Sequence, residues 1–335
     1  MKTFTIGTND ANQRFDKYLK KLLPNASVSF LYKMLRKKNI TLDGKKATGK
    51  ETLQKGAQVA VFFSDETLHK FMQDTKKLQE EFHMLQRLPM KGLSIIYEDT
   101  DILIADKPYN MLSQKAKEQD LSANEYLLGY LIRSGALSLE TFGTFRPSVC
   151  NRLDRNTTGL LLMGKTLAGA QMLSEGLRER TIHKFYRAIV SGNVTKPVHL
   201  SGWLIKDEHT NQVKILTQEQ KDAVRIETSY TSVQAKGTCS LLEICLITGK
   251  THQIRAHLSS INHPIIGDSK YGDSSINEQF RKKSGTKRQL LHAYEMVFPV
   301  CEGHFSYLSQ KSFQAPLPND FLKAMEYAKI HDWKE

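Results

Sequence analysis

The 335-residue sequence lacks long apolar runs, and no stretch approaches the roughly 20 apolar residues that a membrane-spanning helix needs. Its first residues, MKTFTIGTND, lack the apolar centre of a secretory signal. We therefore expect a protein of the cytoplasm that makes no membrane contact. The hydrophobic share of 40% is ordinary for a globular chain that buries a core.

Cysteine is scarce, and the four cysteines form no CxxC pair and have no histidine at metal-ligand spacing. This pattern argues against a structural zinc site and against a disulfide framework. We interpret these residues as small buried hydrophobes or bystander thiols: Cys150, Cys239, Cys245 and Cys301. We predict no metal and no cofactor.

Acidic residues are few at the N-terminal end, where residues 1–60 hold 13 Lys or Arg against four Asp or Glu. Most of the formal net charge of +13 therefore lies in less than a fifth of the chain. A surplus concentrated in a short folded segment is typical of a surface that binds a polyanion. A solvated basic face is the alternative, and charge alone does not separate RNA, DNA and acidic membrane.

Residues 14–63 have the pattern of a compact α/β module. Apolar stripes predict helices in RFDKYLKKLL and SFLYKMLRKK, the second capped by Ser27 or Ser29. A strand then enters a tight turn at Asp43-Gly44, and QVAVFF forms a closing strand. This arrangement resembles the S4 RNA-binding domain. The resemblance implies phosphate contacts from the second helix and the hairpin, at Lys33, Arg36, Lys37, Lys38, Lys45 and Lys46.

The chain is predicted to divide into an S4-like domain at 1–66, a charged helical or partly mobile linker at 67–91 and a catalytic domain at 92–335. Strand patterns are dense from LSIIYEDTDILIADKP onward, with helices between them. Because they do not alternate regularly, we predict an α+β fold around a mixed sheet.

Asp154 lies between Arg152 and Arg155, in a polar loop that precedes the apolar run LLLM. Nearby positive charge favours the ionised form of a carboxylate. An ionised carboxylate suits a nucleophile or a base better than a proton donor. A structural Asp–Arg pair that fixes the loop explains this segment equally well.

Two later segments contain further candidate residues for the site. KFYRAIVSG places Tyr186 in a strand, and TGKTHQIRAHL leaves a strand through a turn and opens a helix. The N-terminus of that helix carries Lys250, Thr251 and His252, which suits a phosphate. Arg255 lies one helical turn further on and projects toward the same end.

In this order, RLDRNTTGLLL, KFYRA, TGKTHQIRAHL, HPIIGDSKYG and LLHAYEMVFP resemble the motifs of the pseudouridine synthases that modify ribosomal and transfer RNA. With the S4-like start, the resemblance extends from about residue 14 to about residue 318. It implies a largely antiparallel catalytic sheet and an isomerase that works without a cofactor. We expect a monomer that acts on ribosomal RNA, with transfer RNA as the alternative substrate.

The resemblance also implies roles for individual residues. Asp154 would be the essential carboxylate, Tyr186 would stack on the uracil and help remove its C5 proton, and Arg255 would pair with Asp154. Arg152 would fill the gap left by the flipped uridine. Further RNA contacts and pocket residues are expected at Arg155, Lys250, His252 and either Leu290 or Leu291. For His252, His257 and His292 a structural hydrogen-bonding role is the alternative.

The reaction explains these residue types. Breaking the N1–C1′ bond builds positive character at the sugar, which a fixed carboxylate stabilises or traps. The nucleotide must first leave the stack, at a cost of a few kcal/mol, and an aromatic face recovers about 1–3 kcal/mol by stacking. Whether the carboxylate attacks C1′ or C6, or assists elimination, stays open.

Three positions depart from the usual pattern of the family. Asn151 stands where His often precedes the Arg-Leu-Asp triplet, KPYNMLSQ lacks the usual His-Pro, and Lys250 replaces an Arg.

Two other functions are alternatives to the synthase reading. A non-catalytic ribosome-assembly factor explains the basic N-terminus, and an Asp-dependent hydrolase would need a second carboxylate or a metal near Asp154.

Overall fold

The computed structural model describes residues 1–72, 74–207, 210 and 212–331. Its strands are β1 (Lys2–Thr5), β2 (Ile40–Leu42), β3 (Lys45–Lys46), β4 (Gln58–Val61), β5 (Ser94–Glu98), β6 (Ile102–Lys107), β7 (Ser148–Val149), β8 (Thr158–Gly164), β9 (His183–Ser191), β10 (Val198–Asp207), β11 (Gln212–Leu216), β12 (Val224–Lys236), β13 (Cys239–Leu246), β14 (Leu291–Val297) and β15 (Ser312–Gln314).

The helices are α1 (Phe15–Leu22), α2 (Val28–Arg36), α3 (Asp65–Phe71), α4 (Thr75–Gln86), α5 (Ala123–Arg133), α6 (Leu139–Thr144), α7 (Leu167–Arg178), α8 (Gln253–Ser260), α9 (Ser274–Ser284) and α10 (Asn319–Ala328). A 3-10 helix spans Gly303–Leu308. Among the described residues, no helix is long and apolar enough to cross a bilayer.

The N-terminal module packs α1 and α2 on a sheet with the strand order β1-β4-β2-β3. The Ser27 side chain caps α2 by accepting from the Phe30 N–H at 3.2 Å. Asp43 and Gly44 have φ angles of 48° and 72°, the left-handed pair that a tight hairpin between β2 and β3 requires. Strand β1 was not predicted, because its short, mostly exposed sequence carries no alternating apolar signal.

The predicted linker at 67–91 is occupied by helices that pack on different units. In α3, Leu68 joins the apolar core of the N-terminal module. In α4, Leu85 belongs instead to the main core of the following domain and packs with Tyr126 and Leu127 of α5. The segment is therefore divided between the two units, with one helix on each.

The second unit is built on a mixed sheet that has eleven strands within the described residues. Its main order is β11-β10-β12-β13-β9-β14-β8-β6-β5, with β15 on β14 and β7 on β8. The pairing of β14 with β8 is parallel and the other pairings are antiparallel. The predicted α+β class with a mixed, largely antiparallel sheet is confirmed.

Sequence patterns did not predict β10, β11 or β12, or helix α9. Buried residues alternate only between Ile226 and Tyr230 in β12, Leu204 alone is buried in β10, and both strands carry charged and polar side chains. The period-2 signal of a half-buried strand is therefore weak in this part of the chain. These strands extend one end of the sheet beyond β13.

Strands β8 and β14 meet at a close backbone approach. Gly159, with a φ of 110°, pairs with Ala293, and a Cβ at this glycine would lie 2.2 Å from the Ala293 carbonyl oxygen. Only glycine allows this approach, which joins the β9–β14 part of the sheet to the β8–β6 part.

We predict that Gly159→Ala destabilises the domain strongly, because it adds both backbone strain and a steric clash. Gly237→Ala is the matched control, since its φ is 58° and its added Cβ meets nothing within 4 Å. Strain alone should cost about 1–2 kcal/mol, and the clash should add about 1–3 kcal/mol. Urea denaturation measures both values; equal losses from the two variants would contradict this reading of the sheet.

Candidate active site

The Asp154 loop joins β7 to β8 and is held by hydrogen bonds to the strand. The Asn151 side chain accepts from the Leu162 N–H at 2.8 Å and donates to the Leu160 carbonyl at 3.1 Å. The Thr157 N–H donates to the Asp154 carbonyl at 3.0 Å. Asn151, which departs from the family pattern, therefore anchors the loop that carries Asp154.

Arg255 joins two carboxylates that are distant in sequence. Its Nη1 donates to Asp154 Oδ2 at 2.9 Å. Its Nε and Nη2 donate to the two oxygens of Asp268 at 2.7 and 2.8 Å. The Asp268 side chain is fully buried and that of Arg255 is 5% exposed, whereas the Asp154 side chain is 26% exposed. The arrangement leaves Asp154 as the carboxylate that an incoming molecule can reach.

Asp268 is fixed by its own loop as well as by Arg255. Its Oδ1 also accepts from the N–H groups of Lys270 and Tyr271, at 2.8 and 3.1 Å. Burial alone would raise the pKa of Asp268, but the Arg255 and backbone hydrogen bonds outweigh it and hold the pKa below its usual range. Sequence reasoning assigned no role to Asp268, although it lies in the quoted segment HPIIGDSKYG.

Tyr186 lies on β9 beside the same site and is 5% exposed. Burial, and then the negative charge of Asp154, raise the pKa of its phenol. Leu153 and Leu291 belong to the same apolar cluster. Of the described residues, none hydrogen-bonds the Tyr186 hydroxyl. The structure thus brings together Asp154, Tyr186 and Arg255, the three residues predicted to be catalytic.

Leu290 does not share this cluster, so the alternative that it lines the pocket is wrong. It packs with Ile189 and Phe321 on the other face of the sheet, because successive residues of an extended strand point to opposite sides. Leu291, the other candidate, packs with Tyr186.

The turn before α8 is closed by a side chain. Gln253 Oε1 accepts from the Thr248 hydroxyl at 2.8 Å and from the Lys250 N–H at 3.1 Å. The helix begins only at Gln253, after His252 in a left-handed conformation with a φ of 54°. Lys250 is exposed, whereas His252 faces the site with its Nε2 3.9 Å from Asp154 Oδ2.

Lys107, at the end of β6, is a buried lysine that sequence reasoning did not single out. Its Nζ donates to the carbonyls of Pro108, Met111 and Arg155 at 3.1, 2.9 and 3.3 Å. Burial, aided by the positive charge of Arg288, lowers the pKa of Lys107 to about 7. The contact with the Arg155 carbonyl ties β6 to the Asp154 loop.

The remaining predicted residues fall into two groups. His257 and His292 are buried, and each forms a hydrogen bond with a threonine hydroxyl. Burial lowers the pKa of both to about 4. Arg152 and Arg155 are exposed and, within the described residues, form no ion pair with Asp154. The N-terminal cations are also exposed: Lys33, Arg36, Lys37, Lys38, Lys45 and Lys46.

Comparison with known proteins gives a consistent result. The family described as RNA pseudouridylate synthase matches residues 101–260, which include Asp154, Tyr186 and Arg255. The ribosomal large subunit pseudouridine synthase D of Neisseria meningitidis serogroup B is 30% identical, with 97% of this chain and 81% of that protein covered. The synthase D of Yersinia pestis is 28% identical, with 97% and 94% covered.

A synthase C and a solved structure extend the comparison. The ribosomal large subunit pseudouridine synthase C of Pasteurella multocida is 28% identical, with 89% of this chain and 86% of that protein covered. The structure of human RNA pseudouridylate synthase domain containing 4 superposes with a TM-score of 0.57 at 21% identity, over 76% of this chain and 98% of that one. This structural likeness shows a shared fold.

We predict that Asp268→Asn lowers the free energy of unfolding by about 3–5 kcal/mol at neutral pH, because it leaves the buried Arg255 guanidinium without its main partner. A lowered carboxyl pKa stabilises the fold above the unfolded pKa and ceases to do so as the pH falls. The difference from the parent should therefore shrink below about pH 4.

Urea denaturation near neutral pH and at about pH 3 tests this expectation. Glu278→Gln is the control, because it breaks an exposed ion pair with Arg281 and should leave stability unchanged. A stability difference for Asp268→Asn that persists unchanged in acid would show that its charge is not the cause.

Proposed function

Because the chain belongs to the RNA pseudouridylate synthase family, we propose that it isomerises uridines of large-subunit ribosomal RNA with Asp154 as its essential carboxylate. The protein is an RNA pseudouridine synthase, and therefore an isomerase. The observation that carries the proposal is the partly exposed Asp154 carboxylate held by the buried Arg255–Asp268 pair beside Tyr186.

The hydrogen bonds leave one oxygen of Asp154 for chemistry. Arg255 engages Oδ2, and within the described part of the chain Oδ1 makes no hydrogen bond to protein. The guanidinium orients the carboxylate through a charge-assisted hydrogen bond. The free oxygen would stabilise or trap the positive character that develops at the sugar when the N1–C1′ bond breaks.

The uracil ring would stack on Tyr186 while the glycosidic bond is broken. Stacking on the phenol would recover about 1–3 kcal/mol of the cost of flipping the nucleotide. The buried phenol also stays protonated, because its pKa is raised. The exposed Arg152, two residues before Asp154, would fill the position that the uridine leaves.

Two observations support ribosomal RNA as the substrate. Relatives over nearly the full length of the chain are synthases of the ribosomal large subunit. The N-terminal module has two helices and a hairpin, as expected for an S4-like domain, and presents exposed cations on α2, just after it and on β3. We further propose that the protein acts in the cytoplasm as a monomer, with transfer RNA as the alternative substrate.

The competing functions fit the site less well. An assembly factor without activity gives no reason for Asp154, Arg255 and Tyr186 to converge. A hydrolase would need a second reactive carboxylate, but Asp268, which Arg255 links to Asp154, is fully buried and bound by that arginine and two backbone N–H groups.

We predict that Asp154→Asn abolishes isomerisation, by at least about a thousandfold, while fold and RNA binding persist. The loss follows because an amide neither carries the charge nor attacks carbon. Tritium release from C5-labelled uridine in ribosomal and transfer RNA measures turnover. Asp273→Asn is the control, because this exposed carboxylate caps α9 and Asn also serves as a cap. Comparable release by the Asp154 variant would remove this residue from the mechanism.

We predict that neutralising four cations of the N-terminal module weakens RNA binding and flattens its salt dependence. The variant carries Lys33→Gln, Arg36→Gln, Lys37→Gln and Lys38→Asn; Asn suits the last position because its φ is 61°. The slope of log K against log salt should fall by about three, since each phosphate contact contributes about 0.7–0.9.

A second variant with the same loss of charge separates a docking surface from general electrostatics. It neutralises the exposed cations at the end of α9 and just beyond it: Arg281, Lys282, Lys283 and Lys287. Filter binding over a range of salt concentrations compares the two. Equal slopes in both variants would contradict the assignment of the N-terminal module as the main docking surface.

A further inference from the structure

His252 and Tyr271 form a polar pair beside Asp154 that the catalytic assignment leaves without a role. The Tyr271 hydroxyl lies 3.1 Å from His252 Nδ1, and the backbone N–H of Val213 in β11 donates to the same hydroxyl at 2.8 Å. On the other side of the imidazole, His252 Nε2 lies 3.9 Å from Asp154 Oδ2. The histidine ring therefore stands between a fixed tyrosine and the proposed catalytic carboxylate.

The hydrogen bonds of the Tyr271 hydroxyl indicate which ring nitrogen of His252 carries the proton. The Tyr271 oxygen already accepts from Val213, and among the described residues His252 is its only other partner. If the phenol donates to Nδ1, both groups are satisfied. If Nδ1 donated instead, the phenol proton would have no acceptor. The neutral ring therefore carries its proton on Nε2, toward Asp154.

The surroundings favour the neutral ring. Burial lowers the pKa of His252, and the charges of Arg255 and Lys270 lower it further, against the opposing charges of Asp154 and Asp268. The pKa of the Tyr271 phenol is raised, chiefly by burial, so it keeps the proton that it donates. A donor to Nδ1 stabilises the neutral imidazole and not the imidazolium.

We propose that Tyr271 is a positioning residue that sets the tautomer of His252, and that His252 offers its Nε2–H to the Asp154 carboxylate during isomerisation. This inference rests on the proposed function, because it assigns a role at the same site. The distance of 3.9 Å exceeds a hydrogen bond, so the ring and the carboxylate must approach by about 1 Å when the uridine binds.

The neutral donor has a chemical advantage over a cation. Arg255 already supplies one full positive charge to Oδ2 of Asp154. A second cation would stabilise the carboxylate further and make it a weaker nucleophile and base. An uncharged N–H orients the same oxygen without this loss. Protonation of His252 should therefore slow the reaction, and the Tyr271 hydroxyl opposes that protonation.

Tyr271 also connects the site to the outer strands of the sheet. Its ring lies 5.1 Å from the Arg255 guanidinium, and its N–H donates to Asp268. Through Val213 it holds β11, which lies at the end of the sheet opposite β5. A displacement of β11 would therefore be transmitted to the hydroxyl that sets the His252 tautomer.

The first experiment is ¹⁵N NMR of the full chain with labelled histidine, comparing the parent with Tyr271→Phe; His252→Gln assigns the signal. We expect Nε2–H with unprotonated Nδ1 in the parent and a loss of that preference in the variant. Protonated Nδ1 in the parent would overturn the proposal. Because this readout needs no turnover, it is independent of whether the chain isomerises uridine.

The second experiment measures turnover with tritium-labelled RNA as a function of pH. Tyr271→Phe should lower kcat about tenfold with KM within about twofold, the scale of one lost hydrogen bond. The acidic limb of the kcat profile should move to higher pH, because the imidazole loses the donor that favours its neutral form. Tyr130→Phe, which removes another hydrogen-bonded hydroxyl in the same domain, is the control and should leave both unchanged.

A double-mutant cycle separates the proposed role from simple structural support. In a His252→Gln background, Tyr271→Phe should change kcat less than about twofold and should not move the acidic limb. The same tenfold loss in both backgrounds would show that Tyr271 acts through Arg255 or β11 and would overturn the proposal. A chain with the expected tautomer that releases no tritium would contradict the proposed function while supporting the tautomer assignment.

Discussion

One guanidinium shared between two carboxylates is the interaction on which the site depends. Buried charges are tolerated when they are paired and hydrogen-bonded, and Asp268 and Arg255 meet both conditions. The Nη1 atom of Arg255 points away from Asp268, and it holds Asp154 at the edge of solvent. The cost of desolvation therefore falls on the buried Arg255–Asp268 pair, and the Asp154 carboxylate stays accessible for reaction.

The sheet supplies the geometry that this arrangement needs. Asp154 comes from the loop before β8, and Arg255 from α8, which follows β13. Tyr186 lies on β9, the strand between β13 and β14, so it is flanked on both sides by hydrogen-bonded neighbours. The close approach at Gly159 joins β14 to β8 and so brings the Asp154 loop to the same part of the sheet.

The proposed RNA-binding surface and the candidate active site lie in different parts of this molecule. The cations of the N-terminal module are exposed and suit phosphate contacts that weaken with salt. The groups that would act on the base and sugar are buried or half-buried, where charges and donors are held in fixed positions. Helices α3 and α4 lie between the two regions, and each packs on one of them.

Local patterns in the sequence determined much of the secondary structure and pointed to several residues of the candidate site. The apolar stripes of α1 and α2, the Asp43-Gly44 turn and the strand of Tyr186 follow from periodicity and turn chemistry, which act over a few residues. The motif segments also pointed to the catalytic candidates and to the family. Where the pattern was weak, as in the polar strands β10 to β12, prediction failed.

Only the tertiary structure decided which groups meet. Arg152 and Arg155 flank Asp154 in sequence, yet the guanidinium that binds it comes from Arg255, 101 positions away. The contacts of Asp268 and Tyr271, and the packing of Leu291 and not Leu290 with Tyr186, could not be predicted from local patterns either. The physical reason is that hydrogen bonds and burial depend on distances through space, which chain folding creates and which spacing along the chain does not encode.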